Sequence, residues 1–110
     1  MTDYIQVLTT FESQEDGETL AANLLEAGLA GCVQIHGPVI SMYRWQGEVV
    51  QSEEYVCAIK SRNDLYPELE EAIRAMHPYE VPEIVAMPIH SGNGDYLHWL
   101  DGELKESGDR

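Results

Sequence analysis

The chain has 110 residues, 44% hydrophobic and 24% charged, an ordinary globular composition at the usual size of one domain. Six Lys and Arg stand against 20 Asp and Glu, for a formal charge of −14. Such a field repels phosphate backbones and anionic headgroups, which sets aside nucleic acid and membrane surfaces as partners, and it attracts cations without selecting among them.

A single domain over residues 1–110 is expected, large enough to fold without a disulfide or a structural metal. The opening run MTDYIQVLTT carries no basic stretch leading into an apolar one, and nowhere do the roughly 20 apolar residues of a membrane span run together, so a cytoplasmic protein is expected. Cys32 and Cys57 lie 25 positions apart with no C-x-x-C motif, which points to reduced thiols rather than a disulfide framework or a zinc finger.

In chain order, Tyr4 to Thr10 predicts a strand, with Ile5 and Val7 on one face and Tyr4 and Leu8 on the other, as in a central strand covered on both sides. Ser13, with Asp16 three residues on, is a capping-box-like helix start. Leu20 with Leu24, and Ala21 with Leu25, continue it as an apolar stripe, and Gly28 offers the left-handed residue that ends a helix. A second strand is predicted from Gly31 to Ile35, interrupted at Gly37-Pro38 and resuming from Val39 to Trp45, because proline inside a strand marks an edge or a bulge. Gln46-Gly47 reads as a tight turn, and a third strand from Glu48 to about Lys60 completes a long hairpin. A second helix is predicted from about Asp64 to Met76, with Leu65, Leu69, Ala72, Ile73 and Met76 on one side, Pro67 near the first turn and His77-Pro78 as the stop. Ile84 to Ile89 reads as a fourth strand. Asn93 caps a last short helix bearing Tyr96, Leu97, Trp99 and Leu100, and residues 101–110 read as a fraying tail.

The order β-α-β-β-α-β plus a terminal helix is an α+β, split βαβ plan. Right-handed crossovers place the first and third strands at the centre of an antiparallel sheet and both long helices on one face, as in ferredoxin-like domains.

With Gln46 and Gly47 as the turn, Trp45 faces Glu48, Arg44 faces Val49, Tyr43 faces Val50 and Met42 faces Gln51. Both faces of the ribbon then carry apolar side chains that a sheet this small cannot cover, and an isolated two-stranded ribbon is marginal in water. Met42, Tyr43, Trp45, Val49 and Val50 are therefore expected at an interface with another copy of the chain, the competing reading being a hairpin that curls back over its own sheet. The same register sets His36 opposite Cys57 and places the two thiols roughly 13 Å apart, too far to bridge, with a bulge at Gly37-Pro38 shifting this by one.

The run MHPYEVPE, Met76 to Glu83, has two readings. In one, Pro78 and Pro82 stiffen a helix-to-strand joint with Tyr79 as a packing plug. In the other, His77 and Glu83 face an inter-subunit cleft and ligate a metal or a small polar molecule. Trp45, Lys60, Tyr79 and Glu83 are the candidates for lining such a cleft. His36, His90 and His98 show no ligand spacing among themselves, which leaves Cys57 beside His36 as the best soft pair within one subunit. Catalysis is not expected: there is no G-x-S-x-G, no Gly-rich phosphate loop and no H-E-x-x-H, and only Arg44, Lys60, Arg62 and Arg74 precede the tail to neutralise a phosphoryl group.

Taken together, GCVQIHGPVISMYRWQG, HPYEVPE and GNGDYLHWL resemble the CutA divalent-cation tolerance proteins along the whole chain from the first strand to the last helix. The resemblance implies a ferredoxin-like protomer in a tight homotrimer made by intermolecular strand pairing, with PII-like architecture. It implies a role in divalent-cation tolerance through binding of copper or another divalent cation, the alternative being a PII-like sensor or carrier of a small metabolite. Copper ligation in that family is attributed to a cysteine at the end of the first strand and a His-His pair before Pro-Tyr. Here Thr9 and Met76 occupy two of those three positions, and His77 matches the third.

Overall fold

The computed structural model describes residues 4–106. The elements are β1 (Tyr4–Phe11), α1 (Gln14–Glu26), β2 (Cys32–Trp45), β3 (Glu48–Arg62), a 3-10 turn at Asn63–Leu65, α2 (Tyr66–Met76), β4 (Val85–Pro88) and α3 (Gly94–Glu103). The strands lie antiparallel in the order β2-β3-β1-β4, so β1 and β3 are central, as the split βαβ plan requires.

Strand pairing sorts the side chains onto two faces. Ile5, Val7 and Thr9 of β1 lie opposite Ser61, Ile59 and Cys57 of β3, and all six are buried. Leu20 and Leu24 of α1 and Leu69 and Ile73 of α2 pack on this face, which puts both helices on the same side around one core. Gln6 and Leu8 lie opposite Lys60 and Ala58 on the other face, which is only half covered along β1. α3 reaches the core edge through Leu100 and is tied to the strand end by Arg62, whose Nη1 donates to Asp101 at 3.0 Å.

The Ser13 hydroxyl caps α1 by accepting from the Asp16 N–H at 3.2 Å, and Gly28, at φ +71°, follows its end. The buried line of α1 is Gly17, Leu20 and Leu24, whereas Leu25 is 45% exposed. The expected Ala21–Leu25 row sits one step around the helix from the sheet, a position that the i, i+4 count alone does not distinguish. The Asn63–Leu65 turn absorbs the predicted start of the second helix, leaving Pro67 in the first turn of α2, where its missing N–H costs nothing. β4 is two residues shorter than expected, Val85–Pro88 instead of Ile84–Ile89, although Ile89 still donates its N–H to Tyr4. The chain after Asp101 does not fray at once: Leu104 is buried, the Lys105 N–H bonds the Gly28 carbonyl and its ammonium pairs with Glu68 at 2.9 Å. Residues 107–110 of the expected tail lie outside the described residues.

The hairpin register is as the turn predicts, with Gln46 and Gly47 at φ 52° and 82° and Trp45 opposite Glu48. Beyond it, the pairing slips between His36 and Val39. Gly37 sits at the slip with φ +152°, and a Cβ there would stand 2.9 Å from both the Glu54 carbonyl and the Tyr55 ring, so only glycine fits. The bulge corrects the expected pairing by one residue: His36 faces Val56, while Cys57 faces Ile35. Because one step along a strand changes the face, His36 and Cys57 point to opposite sides and are no soft pair. Both cysteines are free, and Cys32, opposite Lys60, lies on the face away from Cys57.

Candidate functional site

β3 pairs with β1 only as far as Tyr55, opposite Phe11. The remainder of the hairpin, Val39 to Trp45 and Glu48 to Glu54, therefore runs on without a third strand among the described residues. The joint from α2 to β4 passes beside this overhang because Pro78 forces His77 out of the helix into an extended conformation, φ −83° and ψ 133°. Between overhang, β1 end and joint lies an open groove of about 610 Å³, the size of a small-ligand pocket. It is lined by Thr10 and Glu12 from β1 and its exit, Ser41, Met42, Tyr43, Trp45 and Glu54 from the hairpin, and Tyr79, Glu80, Val81 and Glu83 from the joint.

The joint is held by a short relay. The His77 ring stacks on Phe11 with centroids 4.2 Å apart. Its Nδ1 accepts the Tyr79 N–H at 3.2 Å, which leaves the proton on Nε2, and that N–H donates to the Thr10 carbonyl at 2.9 Å. Burial lowers the pKa of His77, partly opposed by the Thr10 carbonyl, Glu54 and Asp16. Held in this way, Tyr79 donates its hydroxyl to Glu54 Oε2 at 2.7 Å. Burial first, and then the Glu54 carboxylate, push the tyrosine pKa up, so Tyr79 remains a donor. Glu54 is only 7% exposed and forms no ion pair among the described residues.

Of the residues singled out by sequence, Trp45, Tyr79 and Glu83 meet in the groove, and Met42 and Tyr43 join them. Lys60 stands apart, six residues along β3 from Glu54, or roughly 20 Å of strand, with its ammonium on Gln34 Oε1 at 2.9 Å. His77 lies behind Tyr79, and both its nitrogens are engaged, so as placed it has no lone pair to offer a metal. Thr9 is fully buried, and its hydroxyl has no hydrogen-bond partner among the described residues. Met76 is partly exposed, with its sulfur accepting from Asn23 at 3.6 Å. Burial raises the Cys57 thiol to about 11, which makes it a poor thiolate ligand. His90 bonds Ser91, and His98 is exposed. Among the described residues, no three of His, Cys, Asp and Glu converge closely enough to hold a metal ion.

Sequence reasoning missed Glu54, Glu12 and Glu80. A glutamate paired across the ribbon with Val39 reads as solvated until the joint is seen to cross over it. The one available signal was that Glu54 and Tyr43 fall on the same face of the hairpin once the register is set.

The geometry can be set beside known proteins. A family profile described as "CutA1 divalent ion tolerance protein" matches residues 5–103. The "Divalent-cation tolerance protein CutA" of Thermus thermophilus is 49% identical over 86% of this chain and 91% of its own. "Protein CutA 1, chloroplastic" of Oryza sativa is 40% identical over 94% of this chain, which spans 58% of that relative's length. The crystal structure of CutA1 from Oryza sativa superposes with a TM-score of 0.93 at 39% identity, over 96% of this chain and 97% of that one. No helix among the described residues is long and apolar enough to cross a membrane.

Proposed function

Since the chain belongs to the CutA1 divalent ion tolerance family, we propose that it serves divalent-cation tolerance as a non-catalytic, cytoplasmic homotrimer whose hairpins build cation-binding clefts between subunits. The observation that carries this is the uncovered ribbon. Ile40, Met42 and Val49 are 65%, 67% and 64% exposed on one face, while Tyr43 and Trp45 are partly exposed on the other, with Val50 beside them. Apolar surface of this kind on both sides of one overhang favours a partner chain over solvent. The cytoplasmic compartment is supported by the two free thiols.

The donor chemistry favours an oxygen-preferring divalent cation over copper. The groove offers the carboxylates Glu12, Glu54, Glu80 and Glu83, whereas the soft or nitrogenous candidates Cys57, Met76 and His77 are buried, hydrogen-bonded or both. Glu83 is a rim ligand in this reading, completed by groups of the neighbouring subunit. His77 acts behind it by holding Tyr79. Calorimetric titration with Mg²⁺, Zn²⁺ and Cu²⁺ tests the reading: saturable binding that weakens in Glu83→Gln is expected, and diffuse binding abolished by 150 mM salt contradicts it.

A second reading is favoured by the aromatic wall of the groove. Trp45, Tyr43 and Tyr79 suit a small organic ligand better than a bare ion, which makes the trimer a PII-like sensor or carrier. Ligand-dependent thermal shifts of chelator-treated protein distinguish the two.

A further inference from the structure

We infer that the joint after α2 is a proton-operated latch on the subunit interface: neutral His77 pins Tyr79 onto Glu54 at the root of the hairpin, and a proton on His77 releases Tyr79 and loosens the assembly. This rests on the trimer proposed above, and it adds what regulates it.

The latch connects β1, the joint and the hairpin. The Phe11 ring and the Thr10 carbonyl of β1 fix the His77 imidazole, by stacking at 4.2 Å and by a hydrogen bond at 2.9 Å. Its Nδ1 accepts the Tyr79 N–H at 3.2 Å, and the Tyr79 hydroxyl donates to Glu54 at 2.7 Å. Glu54 lies just where β3 passes beyond its pairing with β1, on the same face of the ribbon as Tyr43 and Val50. Among the described residues this is the one hydrogen bond that ties the joint to the overhang. Val81 of the joint, 70% exposed, and Tyr43 of the ribbon line the same groove as Tyr79 and Glu54. The tie therefore sets the shape of the apolar surface that a neighbouring subunit meets.

Protonation acts on one side of the ring only. A backbone N–H can only donate, so Nδ1 must carry a lone pair for the contact to Tyr79 to hold. The Nε2 proton is present in both charge states, and the bond to Thr10 survives. A second proton can go only to Nδ1, where it confronts the Tyr79 N–H and turns attraction into repulsion. The carboxylates acting on the ring are Glu54 of β3 and Asp16 of α1, which with the Thr10 carbonyl favour the proton, while burial opposes it and prevails. The latch is thus closed at neutral pH and opens on acidification. Tyr79 remains protonated throughout, its pKa raised by burial and by Glu54. An acidic chain without such a device behaves in the opposite way: at a formal charge of −14, subunits repel one another less as protons are taken up, and association tightens.

Sedimentation equilibrium at micromolar concentration, at pH 7.5 and pH 5.5 and constant ionic strength, tests the latch, with far-UV spectra recorded alongside. The trimer should dissociate about tenfold more readily at pH 5.5, with its subunits still folded. In His77→Gln, whose amide takes up no proton, acidification should not weaken association. Tyr79→Phe keeps the histidine and removes the tie; it should associate weakly at pH 7.5 and lose nothing further at pH 5.5, a second readout should His77→Gln fail to fold. Association unchanged or tighter at pH 5.5 in the natural sequence overturns the proposal and leaves the trimer standing. So does a loss at pH 5.5 that persists in either variant, or one that comes only with unfolding. A folded single chain at pH 7.5 removes the trimer reading and the latch together.

Discussion

His77, bonded to the groove-lining residues Thr10 and Tyr79, and Thr9, next to Thr10 in β1, illustrate opposite outcomes of burial. The His77 ring is satisfied on both nitrogens only when neutral, because protonation would set an N–H of Nδ1 against the N–H of Tyr79. Its folded pKa lies below the ordinary 6.5, chiefly through burial. An unfolded chain therefore binds this proton more readily, so the stability that neutral His77 contributes is present above about pH 6.5 and declines as the pH falls from there through the folded value. In His77→Gln, that part of the pH dependence should vanish from denaturant melts recorded between pH 5 and 7.5, leaving only the carboxylate component. Thr9 is the reverse case, a buried hydroxyl with no partner among the described residues. Thr9→Val removes the orphan with little change of shape and should raise stability by about 1 kcal/mol, read as a higher urea midpoint at unchanged m-value.

At the scale of elements, the bulge at Gly37 does most to shape the site. The turn register sets Val39 opposite Glu54, and at the slip beside that pair Gly37 passes close against the Glu54 carbonyl while Tyr79 bonds the glutamate side chain. Gly37→Ala puts a Cβ against the Glu54 carbonyl and the Tyr55 ring at a φ that alanine rarely adopts. It should cost about 2 kcal/mol or more and lower ligand affinity as well, measured by chemical denaturation and by the same titrations. The sequence showed that a bulge would fall there, because Gly-Pro inside a strand admits few alternatives, and it showed the turn, the caps and the strand order, since each has a local chemical signature. It could not show the consequence for His36 and Cys57: a one-residue slip reverses which face every earlier residue occupies, and whether the slip occurs is decided by tertiary fit. The same limit applies to the groove. Trp45, Tyr79 and Glu83 were legible as conspicuous residues near a turn or between prolines. Glu54 gained its role only from a long-range contact, spanning 25 positions, with no local mark. Lys60 looked equally suitable by residue type and lies at the wrong end of its strand.

Across the whole molecule, the hairpin joins these features. One core accounts for the sheet face under α1 and α2, and Leu100 and Leu104 extend it to α3, yet among the described residues only the joint at Tyr79 reaches the far half of β2 and β3, whose tip stays exposed. In the proposed trimer, the same surface that stabilises the assembly also closes the groove, so affinity for a cationic ligand and subunit association should rise and fall together. Met42→Glu with Val49→Glu places two charges on the exposed apolar face and should lower both, whereas the core is untouched and the far-UV spectrum should remain that of a folded chain. The most direct measurement of this account is sedimentation equilibrium of the intact protein at micromolar concentration. The account predicts the mass of three 12.4 kDa chains, with dissociation in the double glutamate variant; a folded single chain at that dilution would contradict it.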